Sequence, residues 1–150
     1  MVYMKHGNID DQNRSAQLKA TAQAYFSGLE RADFASIPFS AGIVLRAPLA
    51  PGGAGNALVG KAQLEQIWWA PLKGAIGRVE ILKHYINEDA TSICTAALAG
   101  IAGTNIVLRV VDRFTVDSAG LITEQENHFD PREVTNPGWA SPEGCEDPTS

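Results

Sequence analysis

The residue that most constrains the chemistry of this chain is Asp112, a carboxyl group within a run of β-branched residues. The segment 106–116 reads Ile-Val-Leu-Arg-Val-Val-Asp-Arg-Phe-Thr-Val, a composition typical of a strand. Side chains alternate between the two faces of a strand, so Asp112 shares a face with Val110 and Phe114. A carboxyl group on an apolar face is costly unless it is protonated or paired with a cation. The sequence leaves both open: an acid or base in a pocket, or an ion pair with one of the two arginines beside it.

Three histidines, His6, His84 and His128, are the other side chains that could move a proton near neutral pH. They show no HxH or HxxxH spacing and have no close cysteine, so the sequence predicts no metal site. The segment 55–62 nearly spells a phosphate-binding loop, but Ala62 stands where the magnesium-holding Ser or Thr belongs. No hydrophobic parallel strand leads into that segment, so a helix start after a glycine is the better interpretation. We therefore predict neither a metal nor a cofactor.

Charge and composition narrow the class of partner. The 150 residues carry a formal net charge of −5 and their 12 Lys and Arg residues are scattered, which argues against nucleic-acid binding. No apolar stretch reaches about 18 residues and no apolar leader follows Met1, so we predict a cytoplasmic chain that does not enter a membrane. Cys94 and Cys145 suit a reducing compartment. Hydrophobic residues make up 45% of the chain against 19% charged residues, a balance that indicates a pocket or a dimer interface.

Helical periodicity is strongest over residues 15–31, where apolar side chains recur on one stripe. That stripe consists of Leu18, Ala22, Tyr25, Phe26 and Leu29. Asp33 is placed to cap a short second helix over 34–37, which Pro38 ends because the residue before a proline avoids the helical region. A strand is predicted at 43–47. Residues 1–14 are polar and are predicted to form an arm.

A third helix is predicted to open at Gly60 and Lys61 after a Pro- and Gly-rich loop, and to break at Pro71. Trp68 and Trp69 both lie on this helix. Neighbouring helical positions diverge by about 100°, so the two indole rings cannot face the same way. Either one lines a cavity while the other meets a partner or solvent, or both are plain core packing.

From residue 79 onward the chain changes to β-branched and aromatic runs separated by short turns. Strands are predicted at 79–86, 92–99, 106–116 and 121–129. Turns this short require antiparallel neighbours. The predicted fold is therefore α+β, a curved antiparallel sheet with the N-terminal helices packed on its concave face around a pocket.

Two further predictions concern the borders of this domain, which is expected to span residues 15–136. Residues 137–150 are polar and proline-rich, so we expect a mobile tail that is dispensable for folding. The strands at 92–99 and 106–116 are apolar on both faces, and only one face can meet the helices. A homodimer built on the outer face is therefore predicted.

These residues resemble a known group of proteins. The segment 25–33, Tyr-Phe-Ser-Gly-Leu-Glu-Arg-Ala-Asp, resembles the first helix of ketosteroid isomerases, in which a tyrosine precedes the helix-ending aspartate by the same interval. The segment 111–114, Val-Asp-Arg-Phe, resembles their Asp-X-Phe strand. The segment 127–133, Asn-His-Phe-Asp-Pro-Arg-Glu, resembles the closing motif of SnoaL-like proteins and limonene epoxide hydrolases. The resemblance covers about residues 18–133 and implies the cone-shaped, cystatin-like fold of the nuclear transport factor 2-like superfamily.

The resemblance also implies an acid-base site. Tyr25 and Asp112 match positions where the isomerases keep an oxyanion hole, made of a tyrosine hydroxyl and a carboxylic acid that both donate hydrogen bonds. His84 is then the candidate base and Asn127 an orienting amide, while an ionised Asp112 would itself act as a base. Contacts with a small apolar ligand are predicted at Trp68, Val110, Phe114 and Phe129.

The chain also departs from these families. The isomerases place a proton-shuttling carboxylate at the end of the first strand, just before a proline, where this chain has Arg46-Ala47-Pro48. Asn127 stands at the position of a catalytic aspartate of the epoxide hydrolases, and the segment 92–99 lacks their Arg-X-Asp.

Three functions therefore remain open from the sequence. The first is a cofactor-independent enzyme that performs acid-base chemistry on a small apolar carbonyl, enol or epoxide compound, as an isomerase, lyase, cyclase or hydrolase. The second is a non-catalytic binding protein for an apolar metabolite. The third is a module that serves only to dimerise.

Overall fold

The structure, a computed structural model, describes the backbone of residues 2–135 and the side chains of residues 9–135. Its helices are α1 Val2–Arg31, a 3-10 turn Phe34–Ser36, α2 Lys61–Gln63, a π-helix Leu64–Trp69, α3 Ala70–Leu72 and α4 Arg132–Thr135. Its strands are β1 Phe39–Arg46, β2 Leu58–Val59, β3 Ile76–Ile86, β4 Ser92–Ile101, β5 Val107–Val116 and β6 Ile122–His128.

The six strands form one sheet in the order β2-β1-β6-β5-β4-β3. Strands β3 to β6 are an antiparallel meander, because each is joined to the next by a short turn. The α+β fold class predicted from the sequence is confirmed. The sheet is mixed rather than wholly antiparallel, since β1 pairs with β6 in parallel. No turn joins these two strands, so turn length could not predict their direction.

Helix α1 is longer than its apolar stripe. It begins at Val2, whereas the stripe predicted a start at residue 15 and a polar arm before it. Arg14 fixes this earlier segment to the sheet: its guanidinium donates hydrogen bonds to the carbonyl oxygens of Ala90 at 2.9 Å, Val116 at 2.7 Å and Asp117 at 2.8 Å. The predicted tail at 137–150 lies outside the described residues. Within the described part of the chain, no helix combines the length and the apolar character that crossing a membrane requires.

The helical segment after β2 also continues further than predicted. Pro71 lies in the first turn of the short helix α3, and the segment ends one residue later, at Leu72, rather than breaking at Pro71. Gly60 precedes this segment with a φ of +89°, a conformation that side chains disfavour. The glycines before it thus mark a helix start, and β2 pairs with β1 in antiparallel rather than leading into a phosphate loop.

The core lies between α1 and the inner face of the sheet. All five residues of the α1 stripe are buried, with Leu18 and Ala22 wholly inaccessible to solvent. Along β5 the alternating residues are buried as well: Leu108, Val110, Asp112, Phe114 and Val116. Burial of each large apolar side chain contributes about 1.5–3 kcal/mol, so this packing holds α1 on the sheet. It also points Tyr25 and Asp112 into the same space.

The outer face of the sheet, turned away from α1, carries exposed apolar and charged side chains. Val107 is 50% exposed, Val111 40% and Tyr85 55%. Glu80, Leu98 and Arg109 lie opposite one another on β3, β4 and β5. A two-fold axis parallel to β4 would set Glu80 of each copy against Arg109 of the other, a pairing of opposite charges that a dimer on this face could use.

We propose that the outer face binds a second copy of the chain. Sedimentation at micromolar concentration should then find a dimer. Val111→Glu should give monomers, because it would place like charges within an apolar contact. Val59→Glu is the matched control, since Val59 is 58% exposed on β2 at the far edge of the sheet. A monomeric wild-type chain at this concentration would refute the proposed dimer.

Candidate active site

A cavity of about 310 Å³ lies between α1, the helical segment 61–72 and the inner face of the sheet. Its wall is mostly apolar. Three side chains bring oxygen or amide groups to it, Tyr25, Asp112 and Asn127, and Asp112 is the only carboxyl group among the described residues that line it. The cavity therefore has one polar end in an otherwise apolar wall, the usual form of a small-molecule site.

The three polar side chains contact one another. Asp112 on β5 and Asn127 on β6 are directly opposite in the antiparallel register. The Asn127 side-chain amide donates a hydrogen bond to Asp112 Oδ1, and it lies 3.3 Å from the Tyr25 hydroxyl oxygen, to which it also donates. Tyr25 reaches this point from α1. The structure thus brings together three of the four residues predicted as catalytic.

Burial shifts both titratable groups of this cluster. Loss of solvent raises the pKa of Asp112 from 3.8 to about 7, and the hydrogen bond from Asn127 lowers it only in part. Loss of solvent, and then the charge of Asp112, raise the pKa of Tyr25 well above its usual value. Tyr25 therefore keeps its proton near neutral pH, while Asp112 populates both the acid and the carboxylate.

The ion pair considered for Asp112 does not form. Arg113 points to the outer face, where a guanidinium nitrogen lies 3.0 Å from Glu126 Oε1. Arg109 lies on the same exposed side of β5. Strand alternation places both arginines on the face opposite Asp112, so neither can neutralise it.

Gln125 belongs to the surroundings of this cluster and was missed by the sequence analysis. It is buried on the inner face of β6, two residues before Asn127. Its amide lies beside Tyr25 and Asp112 and lowers the pKa of both, yet neither of its polar atoms finds a partner at hydrogen-bonding geometry among the described residues. The spacing of two residues along one strand is the signal that would have found it.

His84 does not join the cluster, contrary to the expectation of a nearby base. It lies on the edge strand β3 and is half-buried, outside the lining of the cavity. Its Nδ1 lies 2.8 Å from Thr95 Oγ1, and partial burial followed by the charge of Lys19 lowers its pKa. Strand β4 separates His84 from β5, which is why it cannot reach the cavity directly.

The predicted ligand contacts divide in a similar way. Trp68, Val110 and Phe129 line the cavity. Phe114 does not, because it is wholly buried behind Tyr25, with the two ring centres 5.1 Å apart. Of the two tryptophans, Trp68 faces the cavity.

Trp69 is buried on the other side of the segment, where its ring centre lies 5.4 Å from that of Phe34.

At the end of β1, where the isomerases have a carboxylate, the methyl group of Ala47 lines the cavity instead. Arg46 turns away and donates to the carbonyl oxygens of Ala54 and Gly55. Within the described residues, no three His, Cys, Asp or Glu side chains are close enough to hold a metal ion.

Comparison with solved structures identifies the fold. The chain is similar to a Δ5-3-ketosteroid isomerase from Mycobacterium sp., with a TM-score of 0.62 and 21% identity over 76% of this chain and 93% of the other. An LEH-like epoxide hydrolase from M. tuberculosis is similar with a TM-score of 0.61 and 17% identity, over 80% of this chain and 87% of the other. A protein with a cystatin-like fold from Methylobium petroleophilum gives 0.61 and 24%, over 76% of both chains.

These likenesses show the fold that the motifs implied. The chain has the cystatin-like, nuclear transport factor 2-like fold, and its fold is similar to those of the isomerase and the epoxide hydrolase named above. No protein-family model and no curated protein sequence matches the chain.

The raised pKa of Asp112 predicts a pH dependence of stability. Between about pH 4 and pH 7 the folded chain holds a proton that the unfolded chain has released, so this group lowers the free energy of unfolding as pH rises. Each unit of pKa shift corresponds to about 1.4 kcal/mol. Urea unfolding of Asp112→Asn and of the wild type should be measured at pH 4.5 and at pH 8. We expect the free energy of unfolding of Asp112→Asn, relative to that of the wild type, to be a few kcal/mol higher at pH 8 than at pH 4.5.

The control for this measurement is Asp33→Asn, since Asp33 is exposed and makes no capping hydrogen bond. The difference in free energy of unfolding between Asp33→Asn and the wild type should be the same at pH 4.5 and at pH 8. A difference between Asp112→Asn and the wild type that stays constant over this range would mean that the buried carboxyl has an ordinary pKa.

Proposed function

We propose that the chain is a cofactor-independent acid-base enzyme that acts on a small, largely apolar molecule carrying a carbonyl, enol or epoxide oxygen. The observation that carries this proposal is the cluster of Tyr25, Asp112 and Asn127 at the one polar end of the cavity, with the pKa of Asp112 raised to about 7. An acid or base is most effective when its pKa lies near the working pH.

The hydrogen bonds assign a role to each member. The Tyr25 hydroxyl oxygen accepts a hydrogen from Asn127, so its own hydrogen remains free to be donated to an oxygen of the ligand. When Asp112 carries a proton, it is a second donor to that oxygen. When Asp112 is ionised, it can remove a proton from a carbon next to a carbonyl group. Asn127 orients the other two.

The cavity wall determines what kind of molecule could bind. A volume of about 310 Å³ lies at the lower end of the ~300–1,000 Å³ range of small-molecule pockets, enough for a small ring system. The apolar side chains of the wall favour binding of a ligand whose skeleton is mostly hydrocarbon. They also keep water away from the polar end, which strengthens the hydrogen bonds made there.

The similar structures support this class of chemistry. They include a ketosteroid isomerase and an epoxide hydrolase, whose substrates each present one reactive oxygen on an apolar skeleton. At 21% and 17% identity they support the class and leave the particular reaction open.

A non-catalytic binding protein is the second candidate. Ala47 favours it, because the first-strand position offers a methyl group where the isomerases have a proton-shuttling carboxylate. A two-base reaction would then lack one base. The third function, a module that only dimerises, is disfavoured by the volume of the cavity, since a filled interior is expected for it.

The test is turnover of two substrate classes, a β,γ-unsaturated steroid ketone, whose conjugation is followed by absorbance, and a monocyclic terpene epoxide. Tyr25→Phe and Asp112→Asn should each lower kcat by about 10²-fold or more, the usual effect of removing one oxyanion donor. The profile of kcat/KM should show an apparent pKa near 7 from Asp112.

Two matched variants control for the substitutions themselves. Tyr85→Phe alters a tyrosine on the outer face and Asp33→Asn an exposed aspartate, so both should retain full activity. Tight binding of the steroid ketone without turnover of either compound would instead support the binding protein. Equal activity of wild type and Asp112→Asn would reject the acid-base proposal.

A further inference from the structure

A line of four polar side chains crosses the inner face of the sheet. His84 on β3 lies opposite Thr95 on β4, Thr95 opposite Asp112 on β5, and Asp112 opposite Asn127 on β6. Residues directly opposite on antiparallel strands project from the same face, with their Cβ atoms about 4.5–5.5 Å apart. The line therefore joins the edge of the sheet to the polar end of the cavity.

On the inner face of β4 and β5, the residues two positions before and after the line are apolar. Ile93 lies opposite Phe114 on one side of the line, and Ala97 opposite Val110 on the other, and all four are buried. Burying a polar group in such surroundings costs free energy unless it has a partner. Thr95 is wholly inaccessible to solvent, so its hydroxyl is a polar group placed in the core.

The two ends of the line are hydrogen-bonded, and its middle step joins two residues that lie opposite each other in the strand register. Thr95 Oγ1 lies 2.8 Å from His84 Nδ1, and Asn127 donates to Asp112 Oδ1. A threonine hydroxyl both donates and accepts hydrogen bonds, so Thr95 can donate to His84 Nδ1 while it accepts a proton from Asp112, which lies directly opposite on β5. His84 is only half-buried, on an edge strand, so its ring can exchange protons with water.

We propose that Thr95 and His84 form a proton relay between Asp112 and solvent. The O–H bond of the Asp112 carboxyl breaks and its proton passes to Thr95 Oγ1, as the Thr95 hydroxyl proton passes to His84 Nδ1. His84 then releases the proton on Nε2 to water, which leaves an Asp112 carboxylate, an intact threonine and a neutral histidine. The reverse sequence returns a proton to Asp112.

The surroundings of the two ends limit the routes by which the Asp112 proton can exchange. Asp112 faces Tyr25 from α1 and the two amides Gln125 and Asn127 from β6, and none of these three exchanges a proton readily near neutral pH. Partial burial of His84, and then the charge of Lys19 on α1, lower the pKa of the imidazole, so the ring holds an accepted proton only briefly and releases it to water. The use of the relay in turnover rests on the proposed acid-base function, whereas its existence does not.

The test is the rate of proton exchange at the Asp112 carboxyl, measured without any substrate by carbon NMR line broadening and relaxation dispersion across its titration. Thr95→Val removes the hydroxyl at almost constant shape, and we expect exchange to slow by about 10²-fold, the lower end of what a positioned proton-transfer group contributes. Thr95→Ser keeps the hydroxyl and should exchange at the wild-type rate. A merely structural role of Thr95 would not separate these two variants in this way.

A second pair of variants tests the outer end of the relay. His84→Phe should slow exchange as Thr95→Val does, while His128→Phe, a histidine on the outer face with its side chain 50% exposed, should leave the rate unchanged. If Thr95→Val fails to fold, the exchange rates of His84→Phe and His128→Phe still test the relay. Wild-type exchange rates in folded Thr95→Val or in His84→Phe would overturn the relay. Slow exchange in a chain that turns over neither substrate would retain the relay and reject the proposed enzyme.

Discussion

Enclosure of one carboxyl group in an apolar cavity is the constraint on which this site depends. Neither arginine beside Asp112 can pair with it, because strand alternation turns both Arg109 and Arg113 to the outer face. The cost of burial is met partly by protonation, which the pKa of about 7 expresses, and partly by the hydrogen bond from Asn127. A carboxyl group held in this balance changes its protonation state in the range where acid-base chemistry at neutral pH needs it.

The rest of the fold maintains that enclosure. Register is essential, since a slip of one residue between β5 and β6 would turn Asp112 or Asn127 to the outer face. The apolar stripe of α1 holds Tyr25 over the sheet, where its ring packs against Phe114 and Trp68. Stability of the core and geometry of the site therefore arise from the same contacts.

The site also differs from those of the resembling families at two positions where they have carboxyl groups. Ala47 and Asn127 occupy positions where the resembling families have catalytic carboxylates, so among the described residues the cavity has one acid instead of two. In the proposed acid-base function, this single carboxyl would both give and take a proton, and it would depend on exchange with its surroundings. The line from Asp112 through Thr95 to His84 is the path that we propose for this exchange.

Local periodicity in the sequence determined a great deal. The α1 stripe and the alternation along β5 place Tyr25 and Asp112 on inward faces without any knowledge of the fold, and the short turns predict the antiparallel meander. Only the tertiary structure decided which inward residues meet. It put Phe114 behind Tyr25, excluded His84 from the cavity, paired β1 with β6 in parallel and left Gln125 beside the cluster. Alternation and helical period fix the direction of a side chain relative to its own backbone, whereas contacts and pKa values depend on segments far apart in the chain.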